Sequence, residues 1–104
     1  EEAEKLDRKR RAYLRYLDDV DDAIHARRLD GGGDHLIGVA LCAFTIEQDG
    51  TFRNIMIVKT SGSAELDASA LRAVRAASGV VRRPDIIGPD LINVSLQVKY
   101  QYSL

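Results

Sequence analysis

The chain has 104 residues, the size of a single domain built on one core. Fifteen basic residues against sixteen acidic ones leave a net charge of −1, which argues against a nucleic-acid domain and against adhesion to anionic lipid by charge alone. One cysteine, Cys42, excludes an internal disulfide and a multi-cysteine zinc site, and no apolar run approaches the roughly 20 residues that span a bilayer.

The chain opens Glu1-Glu2-Ala3-Glu4-Lys5, without an initiator Met or a signal peptide. It reads as a piece of a longer protein whose targeting and anchoring segments lie elsewhere. From Ala3 to Arg28 there is no Gly or Pro. Leu6, Tyr13, Leu17, Val20 and Ile24 recur at spacings of three and four, with Arg10 filling one place, and this predicts a helix. The turns before Tyr13 are almost wholly charged, so residues 1–12 are expected to be a solvated extension and residues 13–104 the folded domain. The run Gly31-Gly32-Gly33 is expected to stop the helix.

Gly38 to Glu47 is rich in apolar and β-branched residues, with Ala40, Cys42, Phe44 and Ile46 on one face. Gln48-Asp49-Gly50 offers a turn, and Phe52 to Lys59 a second strand, which together predict a β-hairpin. Both hairpin faces are largely apolar, so a helical layer is expected over one of them. Ser61-Gly62-Ser63 breaks the strand and supplies a Ser N-cap. Glu65 and Asp67 then suit a first helical turn, and Leu66, Ala70, Val74 and Ala77 form a buried stripe with Leu71 beside it. Gly79 is expected to end this helix, and a loop carrying Pro84, Gly88 and Pro89 follows.

The last segment alternates strictly. Ile92, Val94, Leu96, Val98, Tyr100 and Tyr102 interleave with Asn93, Ser95, Gln97, Lys99 and Gln101, which predicts an antiparallel strand with one buried and one wet face. The order is α-β-β-α-β: an α+β, two-layer domain, with a three-stranded antiparallel sheet and two helices on one face.

Little in the chain points to catalysis. Asp18, Asp21, Asp22 and His25 share a helical face and could hold a metal, but a solvated acidic face, paired in part with Arg15 or Arg28, explains them more simply. Gly31-Gly32-Gly33-Asp34-His35 lacks the Lys-Ser/Thr ending of a phosphate loop and reads as a connector. Ser61, Ser63, His25 and His35 lack a nucleophile elbow, and the serines are better read as caps. Cys42 is expected to be a buried, inert thiol. Tyr100 and Tyr102 are expected to extend the apolar face of the last strand. The last strand is the positive signal. As an edge it would present free N–H and C=O groups to a partner, and its one outward charge, Lys99, is modest protection. A place in the sheet centre, or pairing with its own copy in a dimer, stays open at this point.

The stretch Phe44-Thr45-Ile46-Glu47-Gln48-Asp49-Gly50-Thr51-Phe52-Arg53-Asn54-Ile55 resembles the hairpin of TonB-family C-terminal domains. The run Val58-Lys59-Thr60-Ser61-Gly62-Ser63-Ala64-Glu65-Leu66-Asp67-Ala68-Ser69-Ala70-Leu71-Arg72-Ala73-Val74 continues the likeness, with its Ser-Gly break, Leu-Asp pair and Ala-rich helix. The Pro-x-Tyr-Pro segment of many TonB proteins and the aromatic after their second helix are absent. Tyr16 to Ile24 instead resembles the start of the TolA C-terminal domain. TolA domains often pair two cysteines; here Asp67 stands at one expected position and Cys42 lies two residues from the other.

The resemblance implies a non-catalytic periplasmic adaptor without cofactor or metal. An inner-membrane helix outside this segment would anchor it, and an ExbB/ExbD-like or TolQ/TolR-like motor would energise it. Its partner would be the TonB-box peptide of an outer-membrane receptor, added to the last strand at Asn93, Val94, Ser95, Leu96, Gln97, Val98, Lys99, Tyr100 and Gln101. The alternatives are a TolA-like envelope domain binding Tol/Pal-type periplasmic proteins, and a structural homodimerisation module.

Overall fold

In a computed structural model of the chain, residues 1–28 and 37–100 are described. The elements are α1 (Glu2–Ala26), β1 (Gly38–Ile46), β2 (Phe52–Lys59), α2 (Ala64–Ala77) and β3 (Ile92–Tyr100), in the expected order. The antiparallel sheet runs β2-β1-β3, so the hairpin's first strand is central and the last strand is an edge. The possibility of a central β3 is thereby removed. Ala40, Cys42, Phe44 and Ile46 all turn to the helical side, where Tyr16, Val20 and Ile24 of α1 and Leu66, Ala70 and Val74 of α2 close the core. The Phe44 and Phe52 rings stack with centroids 4.6 Å apart. On the uncovered face Val39, Met56 and Val58 stay exposed.

Several boundaries differ from expectation. Helix α1 ends at Ala26, before the glycine run, because Arg27 closes a tight last turn with its N–H on the Ile24 carbonyl at 3.1 Å. Gly31 to Gly33 and His35 lie outside the described residues, as do Gln101 and Tyr102. Strand β1 stops at Ile46, since the Glu47 N–H already closes the turn on the Thr51 carbonyl at 2.8 Å. The loop before β3 contains an unexpected 3₁₀ turn, Asp85–Ile87, started by Pro84 and anchored by buried Ile87. The first ten residues of α1, Glu2 to Arg11, are all exposed, and the molecule measures 52 Å in its longest dimension.

Two local devices fix the frame around the sheet. Gly50 sits at φ +90°, and a Cβ there would meet the Val81 carbonyl at 3.3 Å. Only glycine satisfies both the left-handed backbone and the space. At the other end, Ser63 caps α2 by accepting the Leu66 N–H at 3.3 Å. Asp67 reaches back to accept the Ser61 N–H at 2.9 Å, the Ser61 hydroxyl at 2.7 Å and the Thr60 hydroxyl. Desolvation pulls the Asp67 carboxyl up, but the bonds from Thr60 and Ser61 together outweigh it and hold the group below the usual carboxylate range. A depressed folded value means the stabilisation is present above the unfolded value, near pH 4, and is lost as pH falls through the folded one. The Asp67→Asn variant is therefore expected to lose part of the acid limb of a pH-dependent unfolding curve below about pH 4. An acid limb identical to wild type would contradict this role.

Candidate functional site: the outer edge of β3

The two sheet edges are not alike. Strand β2 is irregular: β1 pairs run Ala43 to Met56 and then Thr45 to Arg53, which leaves one extra residue on β2. Asn54 provides it in the left-handed region, at φ 55°, which Asn tolerates better than most residues. A second irregularity falls between Leu41 and Cys42. Bulges of this kind twist an edge away from straight pairing. Strand β3, by contrast, pairs with β1 over nine successive residues, from Ile92 opposite Ile46 to Tyr100 opposite Gly38, without a break.

The direction of the free backbone groups follows from Lys99. Its N–H donates to His25 Nε2 at 3.3 Å, and its carbonyl accepts from the Arg28 guanidinium. Both groups therefore point away from β1. In an antiparallel strand the N–H and C=O of one residue share a side, and the side alternates along the chain. Asn93, Ser95 and Gln97 thus also aim their backbone groups off the sheet, while Ile92, Val94, Leu96, Val98 and Tyr100 bond to β1. The same parity governs side chains. Asn93, Ser95, Gln97 and Lys99 are exposed on the wet face, and Val98 and Tyr100 are buried on the helical side.

Of the nine residues expected to meet a partner, four thus carry outward backbone groups and four build the ladder and the core; Gln101 lies outside the described residues. The Asn93 side chain is already engaged, since its Oδ1 accepts the Thr45 hydroxyl at 2.9 Å across the strands. Tyr100 is a core residue, as expected, with its hydroxyl donating to Ser69 Oγ at 2.7 Å.

One positioning residue escaped the sequence reading. Arg83, 6% exposed, lies in the loop before β3. Its guanidinium donates to the carbonyls of Ile46 (3.4 Å) and Glu47 (3.0 Å) at the hairpin turn, and to those of Gly88 (2.7 Å) and Asp90 just ahead of β3. The clamp holds the start of β3 against the end of β1. No local signal marks it, because an Arg-Pro pair in a polar loop reads as surface.

The other candidates among the described residues take structural contacts. Among the described residues no three His, Cys, Asp or Glu side chains come together as a metal site. Arg28 does not pair with the acidic face but turns to Lys99 and lies over the Tyr100 ring, 5.6 Å from its centroid. Cys42 is fully buried, and desolvation first, with nearby Asp67 adding, pushes its thiol up to about 11. The thiol is expected to resist iodoacetamide at pH 8 in the folded protein and to react only after denaturation; rapid native labelling, followed by mass spectrometry, would contradict its burial.

Comparisons with known proteins agree with this architecture. Two NMR solution structures of the Helicobacter pylori TonB C-terminal domain superimpose on the chain, a shorter form with a TM-score of 0.70 and a longer one with 0.67. Each is 22% identical and covers 86% of this chain, with 96% and 83% of the two structures matched. At that identity the likeness speaks to the fold. No curated protein sequence matches the chain. No helix among the described residues is long and apolar enough to cross a membrane. The TonB C terminal family matches residues 13–97, most of the chain, and the protein belongs to that family.

Proposed function

We propose that this domain is the partner-gripping end of a TonB-type energy transducer, working in the periplasm by binding and not by catalysis. A motor in the inner membrane pulls on the chain ahead of α1. The domain passes that force to an outer-membrane receptor by taking an extended receptor segment as a fourth strand along β3. Backbone pairing supplies the affinity, and the Ser95 and Gln97 side chains, which face the same side of the sheet as an added neighbour's, tune the choice of partner. The observation that carries this reading is the difference between the edges: β3 is straight over nine pairs and β2 is bulged.

The test is affinity capture from envelope extracts with the immobilised domain. Recovery of outer-membrane receptors is the expected result. Recovery of TolB or a Pal-like lipoprotein without any receptor would redirect the assignment to a TolA-like role. Light scattering across concentrations, with the mass staying at one chain, is expected if β3 serves a partner and not a second copy of itself.

A further inference from the structure

We propose that the last turn of α1, together with Arg28 just beyond it, closes the Lys99 end of the β3 edge, so that an added partner strand ends at Gln97 unless it displaces this cap. The inference rests on the strand-addition reading above and deepens it, by fixing which backbone groups the partner can use.

The geometry is specific on both sides of the residue. An amide N–H can only donate, so the bond from Lys99 N to His25 Nε2 requires that nitrogen to carry a lone pair. The other ring nitrogen, Nδ1, faces Asp21, 2.9 Å from its carbonyl and 2.7 Å from its carboxylate, and its proton belongs there. Asp21 thereby fixes the tautomer that leaves Nε2 free to accept. Three residues on, Arg28 donates to the Lys99 carbonyl while lying over the Tyr100 ring. His25 and Arg28 thus take the two positions that the carbonyl and N–H of a fourth strand would occupy. His25, in the last turn of α1, and Arg28, two residues past its end, supply from side chains one rung of the ladder that a partner would otherwise supply from its backbone.

The consequence is a register. Asn93, Ser95 and Gln97 leave three outward rungs, on the order of six backbone bonds for a fully paired strand. A partner that reaches Lys99 has to break two existing contacts to make two new ones, so that rung adds little affinity. The arrangement also blunts one end of an edge that would otherwise be a template for unwanted pairing.

Two measurements on the same labelled protein test this. In the free domain, hydrogen exchange is expected to find the Lys99 amide at least ten-fold slower than those of Ser95 and Gln97, although all three point off the sheet. His25→Phe keeps a ring and removes the acceptor, and should bring Lys99 to the rate of its neighbours while Val98 and Tyr100 stay protected. Equal rates for the three amides in the wild type would overturn the cap. The second measurement adds a synthetic TonB-box peptide. The wild-type domain should show shifts at Ser95 and Gln97 and little at Lys99. The His25→Phe, Arg28→Ala variant should show them at Lys99 as well, with several-fold tighter binding. Shifts in the wild type as large at Lys99 as at Gln97, with unchanged affinity in the variant, would overturn the register limit. Protection at Lys99 that His25→Phe abolishes, without peptide binding to either protein, would refute strand addition alone and leave the cap standing as a closure of the edge.

Discussion

Proline at Ser95 or Gln97 is expected to abolish the proposed binding of an extended peptide and to leave the domain folded, whereas proline at Leu96 is expected to break the sheet. The contrast comes from backbone parity. The N–H groups of Ser95 and Gln97 point off the sheet, on the side of Lys99, whose N–H meets His25 and not β1. Replacing either removes a donor that only a partner strand uses, and places a pyrrolidine ring where that strand must approach. An affinity loss of at least ten-fold is expected at each site, with the thermal midpoint little changed. Leu96, opposite Cys42, donates inward to the central strand. Proline there removes a ladder bond and crowds the core side, so its thermal midpoint is expected to fall well below those of the Ser95 and Gln97 variants. Calorimetry of the three variants, together with a peptide titration, checks both halves. Wild-type affinity in Ser95→Pro would contradict strand addition at this edge.

Replacing Arg83 with Met is expected to destabilise the domain by about 3 kcal/mol or more. The guanidinium satisfies four main-chain carbonyls from two separate loops, and each hydrogen bond to a charged group contributes roughly 1.5–3 kcal/mol when the acceptor is otherwise left buried. For a domain of this size such a loss lowers the melting midpoint by on the order of 12–24 °C. Arg83→Lys should recover little, because one ammonium cannot bridge the Ile46–Glu47 turn and the Gly88–Asp90 loop with four planar donors. The loss also frees the start of β3, so peptide affinity should fall with stability. A midpoint within a few degrees of wild type would mean that the carbonyls find other partners.

The parts of this fold that were legible in the sequence are those governed by local periodicity. The alternation from Ile92 to Tyr100, the apolar stripe Leu66-Ala70-Val74-Ala77 and the Asp49-Gly50 turn each encode their element within a few residues, and the structure follows them. The Ser-Gly-Ser break likewise announced the cap that Ser63 makes. What could not be read is what depends on sequence-distant pairing. Strand order is set by β1 pairing with both the segment that follows it and the last one, so the edge position of β3 was an open alternative until the topology was known. Arg83 acts through carbonyls, which every residue has, and therefore leaves no compositional trace. The bulge at Asn54 depends on one left-handed residue inside an apolar strand, where side-chain alternation alone predicts regular pairing.

His25 is the most instructive case. Its neighbours Asp18, Asp21 and Asp22 suggested a metal or a solvated acidic face, since a helix displays residues three and four apart together. In the structure only Asp21 pairs with it, and the ring's other nitrogen faces a strand 74 residues away. A histidine's role is set by what each nitrogen meets, and one of those partners lies beyond any local window. Arg28 follows the same logic, turning from the acidic face to the end of β3.

The most direct test of strand addition is an NMR titration of the isotope-labelled domain with a synthetic TonB-box peptide. Saturable shifts concentrated on the amides of Asn93, Ser95 and Gln97 are expected. Absence of shifts at millimolar peptide, or shifts gathered along β2 between Phe52 and Lys59, would contradict strand addition at this edge.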